Sequence, residues 1–234
     1  MKFQIVFESR FGIDVIGLEC NHFSMPKVLA DKEEVVFQEG IPTDPGQIYQ
    51  LLMAAFAEQK RSVVKYLVDG KDTLQTGEFP EAFDIIEAES LSHDEISLRL
   101  SIDFINQMNT LETSISAYLI NVLTTSWSDV FNQMDAFIKK IQPFADLIDH
   151  ISPYVQSYEP PWKNEIEEIA KSQAECLGQI LLAFENSDPA GLSEELEFSF
   201  LPLYATTINL FSQKIIPFLK EATDQQTDQE VASA

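Results

Sequence analysis

Along residues 162–184 the large apolar side chains fall at Trp162, Ile166, Ile169, Leu177, Ile180, Leu181 and Phe184, and the steps of three and four are bridged by small residues such as Ala170 and Ala174. That spacing is one face of a helix with a 3.6-residue period. Pro160 and Pro161 suit its start, where a missing N–H costs little. The turn Asn186-Ser187-Asp188-Pro189 follows, with Ser187 or Asp188 as a cap and Pro189 in the first turn of a second helix. That helix carries Leu192, Leu196, Phe200, Leu203, Tyr204, Ile208, Phe211, Ile215, Phe218 and Leu219. The pattern predicts an antiparallel helical hairpin supplying most of a helical core. Pro202 and Pro217 lie inside the second run, and a kink or short break is expected before each, since a straight helix would lose about 3 kcal/mol there.

The N-terminal pattern is different. Residues 2–8 alternate, with Phe3, Ile5 and Phe7 on one face, and predict a half-buried strand. After Phe11-Gly12, the stretch from Ile13 to Leu18 predicts a second strand; residues 21–32 read as a loop, and Glu34–Gln38 as a third short strand. Thr43-Asp44-Pro45 is a helix start, and Ile48, Leu51, Leu52, Ala55 and Phe56 share one face of a helix ending near Gln59. Ser62–Val68 is β-branched and aromatic, Asp69-Gly70 is a hairpin turn into Lys71–Gln75, and Phe83–Glu89 adds a strand. This order describes a small α+β unit, with a ubiquitin-like arrangement among the topologies open to it.

From Ser92 two signals compete. Ser92 and Glu95 have capping-box spacing, whereas Ile96, Leu98, Leu100, Ile102 and Phe104 alternate like a strand. Helical spacing is clear only beyond, at Phe104, Met108, Leu111, Ile115, Leu119 and Val122, and over residues 95–104 helix is the favoured reading. Ser126 or Ser128 caps a further helix with Val130, Phe131, Met134, Phe137, Ile138 and Ile141, which Pro143 kinks or restarts and Pro153 with the Tyr158–Pro161 segment ends. The expected fold is α+β and mostly helical: a small sheet domain at 1–91, an antiparallel helical bundle at 92–222, and a disordered tail at 223–234, whose apolar content is too low to fold. The run Leu182-Ala183-Phe184, Asp188, Leu192, Glu194-Glu195-Leu196-Glu197 and Leu201-Pro202-Leu203 resembles the C-terminal hairpin of a group of bacterial proteins of undetermined function that join a small mixed N-terminal region to helices. The resemblance implies a fold and no mechanism.

Charge narrows the functional classes. Thirty-eight acidic residues against fifteen basic ones give a formal charge of −23, which repels phosphate backbones and anionic lipid. No Lys or Arg occurs from Leu100 to Ile138. Nucleic-acid and membrane binding are therefore not expected. With no early apolar leader and no long apolar run, the expected location is the cytoplasm. Cys20 and Cys176 are too few for a disulfide framework and read as buried thiols.

Catalytic signatures are scarce. The eight glycines form no phosphate-binding loop, and no nucleophile elbow or paired-cysteine site is present. His22 beside Cys20 lacks a triad partner, His93 reads as a first-turn residue, and Asp146 with His150 is the nearest approach to a bundle metal motif. Trp127 and Trp162 read as core or rim aromatics. Glu167-Glu168 with Glu185 and Asp188 resembles the acidic pattern of the all-helical nucleotide pyrophosphatases. That resemblance implies Mg2+ held by those four carboxylates against a triphosphate, with ligands of the right type. It departs from the family in that Glu185 and Asp188 straddle a predicted helix end and only Lys163 and Lys171 lie near for the phosphates. The favoured expectation is a non-enzymatic scaffold, adaptor or assembly protein without cofactor, acting through a protein partner or as a homodimer. A ligand-binding helical bundle with a pocket near Pro143 or Pro202, and the Mg2+-dependent hydrolase, are the alternatives.

Overall fold

The computed structural model describes residues 5–7, 26–38, 40–108 and 111–233, with side chains at 26–38, 40–108 and 111–225. The predicted strand at 13–18, Cys20 and His22 lie outside these residues. The chain divides into two compact units, 1–93 and 94–234.

In the first unit the strands are β1 (Ile5–Phe7), β2 (Lys27–Ala30), β3 (Glu33–Phe37), β4 (Arg61–Val68), β5 (Lys71–Asp72) and β6 (Ile85–Ser92), with helix α1 (Pro45–Glu58) between β3 and β4. The sheet order is β1-β3-β2-β6-β4-β5. Among the described residues only the β2–β6 pair, at the sheet's centre, is parallel; the β2–β3 and β4–β5 hairpins flank it. Hairpin, helix, hairpin and a last strand inserted beside the first is the ubiquitin-like arrangement, here with β1 added outside β3.

Local chemistry accounts for these elements. Asp44 caps α1 by accepting from the Gly46 N–H at 2.9 Å, and Pro45 occupies the first turn. Ile48, Leu52 and Phe56 of α1 pack with Val28, Ala30, Tyr66, Val68, Ile86 and Ala88 of the sheet. The Tyr66 hydroxyl satisfies itself inside this core by donating to the Pro45 carbonyl at 2.7 Å. Asp69 and Gly70 turn with positive φ of 49° and 76°, as a tight hairpin requires. One expectation is corrected: residues 27–30, placed in a loop, are strand β2. The Asp31 and Lys32 pair, with φ of 51° and 73°, makes a tight turn without glycine. Asp31 stabilises it by accepting from the Ser90 N–H at 2.7 Å and the Ser90 hydroxyl at 2.6 Å, with Arg61 bonded to the same Ser90 hydroxyl at 2.8 Å.

The second unit is helical. α2 (His93–Met108) begins directly after β6, so residues 95–104 are helix; its buried face is Ser97, Ser101, Phe104 and Met108, and the alternating Ile96, Leu98, Leu100 and Ile102 fall on its less buried sides. Then come α3 (Leu111–Thr124), α4 (Trp127–Asn132), α5 (Met134–Tyr158) and α6 (Lys163–Glu185). Beyond the turn a continuous helical rod contains α7 (Pro189–Glu194), α8 (Leu201–Leu210) and α9 (Ile216–Ser233), joined by π-helical turns at Glu195–Phe200 and Phe211–Ile215. The rod runs back along α6, since Lys214 pairs with Glu165 at 2.9 Å. Phe144, Ile151, Trp162, Ile166, Ile180, Leu196, Phe200, Phe211 and Leu219 belong to one apolar core.

The proline expectations split. Each π turn ends shortly before Pro202 or Pro217, so the expected break takes the form of a widened turn that relieves the ring against the preceding carbonyls. Pro143 and Pro153 do not restart or end a helix: α5 continues through both. Their unpaired carbonyls belong to Lys139 and Asp149, both exposed, where water can bond them. The break falls instead at Gln133, after α4, which Ser126 caps through the Asp129 N–H. Residues 223–233, expected as a disordered tail, continue α9. Leu219 and Ile215 anchor that helix in the core, and extending an existing helix costs far less than starting one.

Candidate functional site

The four carboxylates that resemble a pyrophosphatase set are spread out. Glu167 and Glu168 lie in the first third of α6 and Glu185 at its end, about 25 Å apart along the axis at ~1.5 Å per residue. Asp188 caps α7 instead, accepting from the Gly191 N–H at 2.9 Å. Among the described residues no three His, Cys, Asp or Glu side chains are gathered so as to hold a metal ion. His93 bonds the Ser62 hydroxyl at 3.0 Å at the end of the sheet. Trp162 is a core residue stacked on Tyr154 at 6.0 Å. Cys176 is buried, and burial, helped by the neighbouring Glu195 carboxylate, pushes its thiol up to about 12.

Two grooves lie beside the prolines singled out in the sequence. One, of about 450 Å3, runs between α6 and α8, with an apolar floor of Ile169, Leu203 and Leu210 and the Glu165–Lys214 pair at its rim. Its hydrogen bond to Lys214 holds the Glu165 carboxyl below the usual carboxylate range. The other, of about 380 Å3, lies between α2 and α5 at Pro143, with Leu100, Phe104 and Leu147 below and Asp103, Lys139 and Asp146 above. Neither gathers the carboxylates that phosphate chemistry with Mg2+ requires.

A different region of the same unit stands out by its exposed apolar side chains. Ile120 and Leu123 of α3, Phe131 of α4, Leu181 and Leu182 of α6 and Phe198 of the first π turn are all between 47% and 70% exposed. Internal contacts bring most of these to one end of the unit. Tyr154 meets Trp162 and Gln173 donates to the Phe144 carbonyl, so α5 runs antiparallel to α6, and Trp127 meets Phe184 at 5.8 Å, so α4 lies at the α6 C-terminus. Asn121 bonds Gln133 at 3.3 Å, which brings the C-terminal end of α3 to the α4–α5 joint. On α6, Leu177, Leu181 and Glu185 recur every four residues and share the side that carries Phe184 toward Trp127.

Comparison with models of known families, with curated proteins and with solved structures finds no match. The surface must therefore be read from its own chemistry. Charge near α4 and the end of α6 is mostly acidic: the chain has no Lys or Arg from Leu100 to Ile138 or from Ser172 to Gln213, while Asp129, Glu185 and Glu194 belong to α4, α6 and α7 and Asp188 to the turn before α7. Helices α3 and α6 both finish here without a basic residue in the last turn. Sequence pattern alone placed Leu181 within the apolar helix face and Phe131 within a core-facing set. The signal it lacked is three-dimensional: a short helix, α4, that ends at Gln133 and leaves Phe131 outside.

Proposed function

We propose that the protein is a non-enzymatic interaction protein of the cytoplasm, a scaffold, adaptor or assembly factor, and that it works through the acidic end of its helical unit. The observation that carries this reading is the set of large exposed apolar side chains on the end of α3, on α4 and on the end of α6, which the Trp127–Phe184 and Asn121–Gln133 contacts bring to one end of the unit. Isolated exposed leucines are ordinary on a protein surface, but several at one end of a helical unit present area that association would remove from water. A photo-crosslinking residue at Leu181 in the full chain tests it, with the exposed Gln47 of α1 as control. A discrete heavier adduct from position 181 and none from position 47 is the expected result. Equal labelling, or none at either position, removes the proposal.

A second reading, a small-molecule binder, draws support from the groove between α6 and α8, whose volume of about 450 Å3 is within the range of ligand pockets. Native mass spectrometry separates the two: a retained mass that is lost when Leu203→Trp fills the groove favours the ligand, and an unmodified chain mass favours the interaction reading.

A further inference from the structure

The partner's chemistry can be read from what the surface lacks. An apolar side chain on a partner would bury against Phe131, Trp127 and Leu181, but any acidic residue beside it would face Glu185, one turn beyond Leu181 on α6. The chain offers no Lys or Arg from Leu100 to Ile138 or from Ser172 to Gln213 to receive it. A second copy of this chain would bring the same acidic residues against themselves, since a two-fold interface repeats one patch on both sides. A basic residue flanking an apolar one meets the Glu185 carboxylate instead. We infer that this surface binds a basic amphipathic helix of a different protein, with apolar residues seated on Phe131, Trp127 and Leu181 and Lys or Arg residues facing the acidic rim.

The inference rests on the interaction reading and narrows it. It is tested by fluorescence anisotropy of the full-length protein with a labelled Leu/Lys amphipathic peptide, a Leu/Lys peptide of the same composition in scrambled order, and the Leu/Glu counterpart of the first. The ordered Leu/Lys peptide is expected to bind most tightly, with affinity falling as salt screens the rim beyond a Debye length of about 10 Å at ~0.1 M. Leu181→Ser with Phe131→Ser should weaken it about tenfold or more, as loss of central apolar anchors does, while Met53→Ser on α1 leaves it unchanged. Glu185→Lys provides an independent variant. It should stabilise α6 slightly by placing a cation at its C-terminus, and yet weaken the peptide several-fold. Equal binding of ordered and scrambled peptides, insensitivity to both sets of variants, or a dimer in sedimentation velocity that the serine variants dissolve would each overturn the inference. A position-181 adduct without peptide discrimination would remove the basic helix and leave the interaction reading standing; no adduct would remove both.

Discussion

At the α6–α7 turn, single residues carry roles that their types only partly announced. The Asp188 N–H bonds the Ala183 carbonyl at 2.9 Å and the Ser187 N–H bonds the Phe184 carbonyl at 3.1 Å, the two bonds of a Schellman stop, with Ser187 at φ 54° where glycine is usual. Ser187→Gly should therefore raise stability by up to about 1 kcal/mol in urea unfolding, because it removes a Cβ from left-handed backbone. Asp188 has the opposite sign. Asp188→Ala should lose about 1 kcal/mol as the α7 cap disappears, whereas Asp188→Asn keeps an acceptor for the Gly191 N–H and stays near wild type. A metal ligand would show a different pattern: Asn would behave like Ala, and both would abolish any stabilisation by added Mg2+. The caps at Asp44, Ser126 and Asp188 were legible in the sequence because an acceptor followed by proline or by an amphipathic run has few other uses. The Asp31-Lys32 turn was not, since its stabilising partners, Ser90 and Arg61, lie 59 and 30 residues away in the chain.

Among the elements, the rod from Pro189 to Ser233 shows how a sequence rule can be right in place and incomplete in form. Proline demands that a helix give way ahead of it; whether it kinks, breaks or widens depends on what covers the turn. Here Leu196 and Phe200 of the first π turn, and Phe211 and Ile215 of the second, are fully buried, and so both turns stay packed while the backbone widens. Restoring the N–H with Pro202→Ala should thus stabilise the protein by clearly less than the roughly 3 kcal/mol seen for proline in an undistorted helix, because the widened turn has already relieved the clash. A gain of the full amount in urea unfolding would show that it had not. The same logic explains the misplaced break at Pro143, where exposure of the freed carbonyl lets α5 run on. It also explains the strand-like alternation before Phe104: α2 buries Ser97 and Ser101, small polar residues that a hydrophobic pattern does not count, with the Ser101 hydroxyl donating to the Ser97 carbonyl at 2.7 Å.

For the whole molecule, the acidic balance and the aromatic cores together set an alkaline limit on its pH range. Burial raises the phenols of Tyr66 and Tyr154, the latter also through its hydrogen bond to Asp94, and pushes Tyr118 up to about 12. Each is an acid whose folded pKa lies above its unfolded value near 10, so the fold favours the neutral form. Below that value both states are protonated and the contribution is intact. As pH rises from about 10 toward 12 the unfolded chain releases protons that the folded chain retains, and stability falls. The buried Cys176 thiol acts in the same direction, beginning near its usual value of 9. Phenolate absorbance at 295 nm for these three tyrosines should consequently rise together with the loss of helical circular dichroism. Phenolate appearing in full while the helices remain would mean that the rings are reached by water in the folded state. Both units contribute, since Tyr66 lies in the sheet core and Tyr118 and Tyr154 in the helical one. The formal charge of −23 adds self-repulsion that deepens with every phenolate formed, so moderate salt should move this alkaline transition to higher pH by screening it.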